Sequence, residues 1–317
     1  MYSLLGLVLA LAAFLAVNAL VSLVIAALAE RAIRSTAAHD PRRRKWQLLA
    51  WRLLPSLAAA AVVLGLVAPS YLLFEPRQSE APGATLLLLA LGALAVVAYA
   101  LRRGWASWRA TATIVHNWMA EAEQLPGRDG IAVYGIRDSF PIVSLVGFVH
   151  PRVLVARQVL AALTPAELAA VVAHETGHWV FGDNITRLAF RFCPDLLSFF
   201  PASRRLEDEW VRASELAADA VAAPNEASAV ELGSALVKVA RLVAQARPSA
   251  CLTSALHDGR DVSDRVRRLV AGKGSVQAPR PRSRTRAWGA LAAVLIAGAA
   301  ALPVVHGLVE LAVRILP

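Results

Sequence analysis

The chain has few of the residues that cross-link or charge a soluble protein. Its 317 residues include 2 cysteines and 3 lysines, and only 18% are charged. The cysteines, Cys193 and Cys251, lack the close spacing of a metal knuckle, so a disulfide scaffold and a cysteine-ligated zinc site are both excluded. We expect both thiols to be reduced and buried. Hydrophobic residues make up 57% of the chain and form long uncharged runs, which indicate a membrane protein.

The net charge of +10 does not indicate a nucleic-acid-binding protein. No nucleic-acid-binding motif accompanies it, and the arginines cluster at the ends of the apolar runs. Anionic lipid headgroups attract basic residues at those positions. The sequence therefore predicts a lipid bilayer as partner and no direct contact with nucleic acid.

Four membrane spans are predicted from the uncharged runs. The first begins without a basic residue, which favours a retained anchor over a secretory signal peptide. Pro55 and Pro69 interrupt the second span, which membrane helices tolerate. The three N-terminal spans are residues 4–29, 53–74 and 84–101, in a segment 1–101, and the fourth lies in residues 287–317.

Arginine and lysine distribution predicts the orientation of these spans. The loop between the second and third spans holds only Arg77, so it faces outward by the positive-inside rule. Residues 102–286, including the basic ends of this segment next to the third and fourth spans, are then cytoplasmic. The two termini lie outside a plasma (inner) membrane. The opposite, cytoplasmic loop holds Arg31, Arg34, Arg42, Arg43, Arg44 and Lys45.

A pair of histidines, His174 and His178, flanks a glutamate within the cytoplasmic segment. A helix turns about 100° per residue, so residues four apart lie on one face and can bind one metal ion. Thr164-Pro165-Ala166-Glu167 predicts a capping box, hence a helix that begins there and includes both histidines. This HExxH pattern is typical of zinc peptidases, and Glu175 is predicted to be the catalytic base.

A catalytic zinc ion needs a third protein ligand and one open position. Glu215 is the best candidate, on a second helix predicted from about Leu206 to Ala222. Asp219 lies four residues later on the same face and could accept a hydrogen bond from a zinc-bound histidine. A solvated acidic face is the alternative reading of these two residues. For stabilising the oxyanion the sequence offers four candidates without choosing between them: Tyr134, His150, Arg212 and His257.

Short β-branched runs precede the predicted helix that contains His174 and His178, and further helices follow it. Strands are predicted at residues 131–136, 142–146 and 153–156, and an edge strand beside this helix would be a platform for an extended substrate. Helices are predicted from Asn225 or Ser228 to Ala246 and at 261–271. Residues 272–286 read as a linker.

The stretch HETGHWVFGDN, with LTPAELAAVVA before it and SELAADA after it, resembles the BlaR/MecR-type integral-membrane metallopeptidases. The resemblance implies four transmembrane helices with a cytoplasmic α+β gluzincin domain between the third and the fourth. It also implies a zinc endopeptidase in which His174, His178 and Glu215 bind Zn²⁺ and Glu175 is the base. The implied role is signal transduction by cleavage of a cytoplasmic repressor or of the chain itself.

Antibiotic sensors of that family carry an outer penicillin-binding domain after the fourth span, and this sequence has none. We therefore expect any signal to arrive through the spans, the outer loop or a membrane sensor partner. Two alternatives stay open. HtpX-like and CAAX-protease-like quality-control enzymes share HExxH and a downstream ExxxD. A zinc-stabilised sensor without turnover would need the ligands but not Glu175.

Overall fold

Long helices dominate the computed structural model, which describes residues 2–75, 81–128, 131–147, 150–245, 259–271, 300–308 and 310–311. Four strands form one small sheet, so the described chain is mostly helical with a mixed sheet. The helices are α1 Tyr2–Thr36, α2 Pro41–Val62, α3 Ala68–Phe74, α4 Ala84–Ala120, α5 Arg157–Ala162, α6 Pro165–Val180, α7 Asp183–Phe192, α8 Pro201–Ala222, α9 Glu226–Gln245 and α10 Gly259–Val270. The strands are β1 Glu123–Arg128, β2 Ile131–Ile136, β3 Val143–Val146 and β4 Arg152–Ala156.

Three helical stretches are long and apolar enough to cross a membrane: Tyr2–Thr36, Pro41–Phe74 and Ala84–Ala120. They contain the first three predicted spans, and each extends beyond its apolar run. Residues 300–308 of the predicted fourth span are helical, and most of the rest of it lies outside the described residues. The fourth span therefore stays a prediction.

Large apolar side chains cover the outside of these three helical stretches. Such a surface is far more apolar than that of a water-soluble protein and fits contact with lipid tails. Leucines there that are more than half exposed include Leu7, Leu20, Leu57, Leu64, Leu88 and Leu91.

The second of these stretches changes its winding near a proline. Residues Val63–Val67 form a π-helical turn between α2 and α3. Pro69 lacks the N–H that would bond to the carbonyl of Gly65, and its ring crowds that carbonyl. A π-turn just before the proline relieves this clash without breaking the helix.

The sheet has the strand order β1-β2-β4-β3, which places β3 at an edge. β2 and β4 are parallel, and the other two pairs are antiparallel. The predicted strands at 131–136, 142–146 and 153–156 are confirmed to within one residue. Strand β1 was not predicted. Buried side chains of the sheet pack against α5, α6 and α9 in a core that includes Ile131, Val133, Val153, Val155, Val159, Val172 and Val239.

A second core joins the apolar helices to the rest of the chain. Ile25 and Ala29 of α1 and Leu48 of α2 pack against Trp210 of α8, which is fully buried. Helices α1 and α2 therefore do more than anchor the chain. Their ends pack against α8, the helix that carries Glu215 of the candidate site.

Basic residues at the start of α2 lie in this contact. Arg44 and Lys45 form ion pairs with Glu209 and Asp183. Arg52 donates to Asp195 over 2.8 Å and to Glu207 over 2.7 Å. Part of the positive charge that the sequence assigned to headgroup contact is thus paired within the protein.

Candidate metal centre and active site

Helix α6 begins where the sequence predicted. The Thr164 hydroxyl accepts from the Glu167 amide, the Glu167 carboxylate accepts from the Thr164 amide, and Pro165 occupies the first turn. This capping box fixes the start of the helix, so the spacing of its later residues is that of a regular helix. His174 and His178 consequently lie on one buried face.

A glycine inside HExxH lets a second helix approach. A Cβ at Gly177 would lie 3.1 Å from the Cα of Ala218 and 3.3 Å from its Cβ. The absence of a side chain at 177 and the small one at 218 allow α6 and α8 to cross closely. Glu215, less than one turn before Ala218, is carried to the two histidines by this contact.

The predicted ligands His174, His178 and Glu215 come together and are buried. The two histidine Nε2 atoms are 3.2 Å apart. Glu215 Oε2 lies 3.4 Å from Nε2 of His174, and Oε1 lies 3.5 Å from Nε2 of His178. Ligands bonded to a tetrahedral zinc ion at about 2.0–2.2 Å are about 3.3–3.6 Å apart, so the three groups fit one ion.

Carboxylates face the other ring nitrogens of both histidines. Nδ1 of His178 lies 2.7 Å from Asp183 Oδ2. Nδ1 of His174 lies 3.0 Å from Asp219 Oδ1, although the angle of this contact falls outside hydrogen-bond geometry. A carboxylate at Nδ1 favours the tautomer that leaves Nε2 free for a metal. Asp219 therefore lies where the sequence placed it, beside a histidine of the pair.

Asp183 was not predicted as a site residue, although it lies in the quoted motif HETGHWVFGDN. Gly182, just before it, has a φ of +68°. In this left-handed conformation, which glycine adopts without steric cost, the chain turns back on α6. Asp183 thereby becomes the first residue of α7 and reaches His178. The Gly182–Asp183 pair, shortly after HExxH, was the sequence pattern that could have predicted this contact with His178.

Glu175 and the edge strand β3 meet in the same cleft. Glu175 Oε2 accepts a hydrogen bond from the Leu145 amide over 2.9 Å. The Leu145 carbonyl accepts one from Asn184 Nδ2 over 3.1 Å. The backbone of β3 thus faces the cleft, as predicted for a substrate platform. The cleft is lined by Val143, Ser144, Leu145, His174, Glu175, His178, Asn184, Arg187, Glu215 and Arg265, among others.

Residues 111–207 match peptidase family M48, the family that contains membrane zinc metallopeptidases of BlaR and HtpX type. Neither curated proteins nor solved structures gave a match. The predicted resemblance to this family is confirmed, and the family match supports a metallopeptidase. The matched segment includes His174, Glu175 and His178 and ends before Glu215.

Buried charges surround the candidate metal ligands. Burial favours the neutral form of His178, but the charge of Glu215 and the hydrogen bond to Asp183 outweigh it and raise its pKa to about 10. Burial also favours the neutral form of Glu215 and would raise its pKa, yet the charges of Arg265 and His178 hold that pKa well below the ordinary value. A metal ion bound at Nε2 of His178 would compete with the proton of this histidine.

Three of the four predicted oxyanion candidates lie in described residues, and none of these three lines the cleft. Tyr134, His150 and Arg212 are absent from the lining of the cleft, and Arg212 pairs with Glu209 on α8 instead. His257 lies outside the described residues, as does Cys251. Two cationic side chains do line the cleft: Arg187 on α7 and Arg265 on α10.

Proposed function

We propose that the protein is an integral-membrane zinc endopeptidase that hydrolyses peptide bonds on the cytoplasmic side of a plasma (inner) membrane. One observation carries the proposal. The side-chain atoms of His174, His178 and Glu215 are spaced like the ligands of one tetrahedral ion, and Glu175 lies in the same cleft.

The donor set supports zinc as the metal. Two neutral imidazole nitrogens and one carboxylate leave a fourth position open, which is the usual arrangement of a catalytic zinc site. A bound zinc ion would lower the pKa of water in that position and polarise a substrate carbonyl. We assign metal binding to His174, His178 and Glu215, and orientation of the histidines to Asp219 and Asp183.

Glu175 is the proposed general base. Its Oε2 is held by the Leu145 amide, so Oε1 is the oxygen that can take the proton from the attacking water. The same carboxyl group then gives this proton to the leaving amine. A zinc-stabilised sensor without turnover would not require a carboxylate at this place, so Glu175 favours the enzyme over that alternative.

Strand β3 supports binding of an extended peptide. It is the edge of the sheet, and side-chain and backbone groups alternate in direction with a period of two residues. Val143 therefore presents its backbone N–H and C=O on the same side as Leu145, toward the cleft. The backbone of Leu145 is already bonded to Glu175 and Asn184, so we expect a substrate to pair at Val143. This pairing uses only the substrate backbone, which suits cleavage within a chain rather than at one terminus.

The positive-inside distribution of arginine supports a cytoplasmic site. Cytoplasmic substrates follow, and the resemblance to BlaR/MecR-type enzymes favours a repressor or the chain itself, in a signalling role. Quality control of membrane proteins is the second candidate, because the matched family also contains HtpX-type enzymes. Comparison of membrane and soluble proteomes with and without the active enzyme would separate the two. A small number of discrete cleavage products would favour a signalling role, whereas cleavage of many membrane proteins would favour quality control.

The test uses the full chain purified in detergent. Wild-type protein should bind about one zinc per chain and cleave an unfolded protein such as β-casein. Glu175→Gln should keep the metal and lose activity by about 10²–10⁴-fold, the usual contribution of a general base. Glu215→Ala should lose both. Glu226→Gln, at an exposed position on α9, is the matched control and should retain both. Equal cleavage by wild type and Glu175→Gln would refute the mechanism.

A further inference from the structure

Each carboxylate that faces a histidine of the metal centre is itself paired with a buried cation. On one side Arg265 of α10 donates to Asp219 over 2.6 and 2.8 Å. On the other side Lys45 of α2 forms an ion pair with Asp183. Two chains of the same order, histidine, carboxylate and cation, therefore support the site from opposite directions. Both cations lie outside residues 111–207, the segment that matches the peptidase family.

Lys45 is the less expected of the two cations. It is 1% exposed and belongs to the helix that continues into the predicted second span. Its Nζ lies 4.6 Å from the centre of the Phe181 ring and 5.5 Å from that of Trp210. Aromatic faces at these distances stabilise the ammonium group away from water. The residue is therefore held in one place by contacts with α7 and α8 and with the turn between α6 and α7.

Asp183 is the point where these elements meet. Its Oδ1 pairs with Lys45, and its Oδ2 contacts both Nδ1 of His178 and the hydroxyl of Ser214. Ser214 precedes the proposed ligand Glu215. A single carboxylate thus touches α2, a metal ligand on α6 and the neighbour of a metal ligand on α8. Any shift of its anchor on α2 must change the direction of its contact with His178.

We propose that Lys45 is a positioning residue through which helix α2 holds Asp183, and thereby His178, in the orientation that binds the metal. The inference rests on the proposed function for the existence of a bound metal. It adds that the metal centre is incomplete without a helix that continues into the membrane. Metal affinity then depends on how α2 is seated against the peptidase domain.

The sign of the effect separates positioning from simple electrostatics. Lys45 carries a positive charge near a divalent cation, so by charge alone its removal would tighten metal binding. By positioning, its removal leaves Asp183 buried with one fewer charged partner and frees it to turn from His178. Substitution of partners that orient a metal ligand typically weakens metal binding by about 10–100-fold. A loss of affinity can therefore not come from the charge of Lys45 itself.

The experiment measures binding of Co²⁺ and Zn²⁺ to the full chain in detergent by competition with a chelating dye. Lys45→Met is compared with Arg44→Met. The control removes the same charge one residue earlier and breaks a contact between α2 and α8, the pair with Glu209, but does not touch Asp183. Thermal unfolding of the metal-free proteins checks that both variants are folded. Lys45→Gln replaces Lys45→Met if the latter is not recovered folded.

We expect Lys45→Met to bind both metals at least 10-fold more weakly than wild type and to change the visible spectrum of the Co²⁺ form. Arg44→Met should stay within about 3-fold of wild type on the same measure. In an Asp183→Asn background, Lys45→Met should have little further effect, because its partner is already changed. Unchanged or tighter binding by Lys45→Met, or an undiminished loss in the Asp183→Asn background, would overturn the inference. Wild-type protein that binds no metal would instead refute the proposed function.

Discussion

Glu167 connects the start of α6 to α9 and should make stability depend on pH. Its carboxylate is 3% exposed. It accepts from Ser234 Oγ over 2.6 Å, from Lys238 Nζ over 2.7 Å and from the Thr164 amide over 2.7 Å. Burial alone would raise the pKa of Glu167, but these hydrogen bonds and the charge of Lys238 outweigh it and lower the pKa from 4.5 to about 2.

The sign and size of the effect follow from this shift. A carboxyl group with a lowered pKa stabilises the folded state above its unfolded pKa, and this stability is lost as pH falls toward the folded pKa. A shift of this size corresponds to about 3 kcal/mol at neutral pH, of which about 2 kcal/mol is lost by pH 3. At an unfolding entropy of about 2.1 cal/mol/K per residue, that loss lowers the unfolding temperature of a 317-residue chain by about 3 °C.

Glu167→Gln should remove this contribution, because the amide keeps its shape but cannot ionise. The unfolding temperatures of metal-free wild type and Glu167→Gln are measured in detergent between pH 6 and pH 3. We expect wild type to be the more stable at pH 6 and the difference to shrink by about 2 kcal/mol at pH 3. Glu226→Gln, which removes an exposed carboxylate in the first turn of α9, is the control. A difference between wild type and Glu167→Gln that stays constant across this range would refute the reasoning.

Two further predictions concern the helix crossing and the orientation of the chain. Gly177→Val should destabilise the protein by about 1–3 kcal/mol through overpacking against Ala218. Gly233→Ala, whose Cβ would meet nothing within 4 Å, should instead stabilise it by about 0.5–1 kcal/mol. Equal unfolding temperatures for the two variants would contradict the close crossing. A reporter inserted between Arg128 and Ile131 should report a cytoplasmic location, and activity that requires export would reverse the predicted orientation.

The parts of the fold that sequence predicted are those fixed by local interactions. The capping box at Thr164 and the spacing of the histidines depend on residues within one or two turns, and both are found in α6. Helix α8 begins at Pro201, ahead of the predicted start at Leu206. Proline fits the first turn of a helix, where its missing N–H has no partner to lose. Hydropathy marked the end of the apolar run at Leu101 but not the end of α4, which continues as a polar helix to Ala120.

Strand β1 shows why other elements could not be predicted. Its sequence, EQLPGR, contains proline, glycine and charged residues that strands disfavour. It is an edge strand that pairs with β2, and its register shifts between Leu125 and Arg128. Edge strands and bulges tolerate such residues because only one side of the backbone is paired. The strand forms because β2 provides a pairing partner. The local sequence of β1 does not indicate that such a partner is present.

The support of the metal centre is likewise non-local. Lys45 and Asp183 are 138 positions apart, and Arg265 is 46 positions from Asp219. The sequence marked Lys45 as one of several basic residues beside a membrane span, and this pattern gave no information about its burial. Only the packing of α2 on α8 distinguishes it from Arg42 or Arg43. Long-range ion pairs of this kind depend on tertiary structure, not on spacing along the chain.

The pairing of Lys45 with Asp183 also has a consequence in the opposite direction. Linkage is reciprocal, so a contact on α2 that strengthens metal binding must be strengthened by the metal to the same extent. A 10-fold effect on affinity corresponds to about 1.4 kcal/mol. Loading the site would therefore hold α2 against α8 more firmly by about that amount, and a movement of α2 that separates Lys45 from Asp183 would weaken metal binding equally. If a signal enters through the apolar helices, a displacement of α2 would reach the proposed ligand His178 through Lys45 and Asp183.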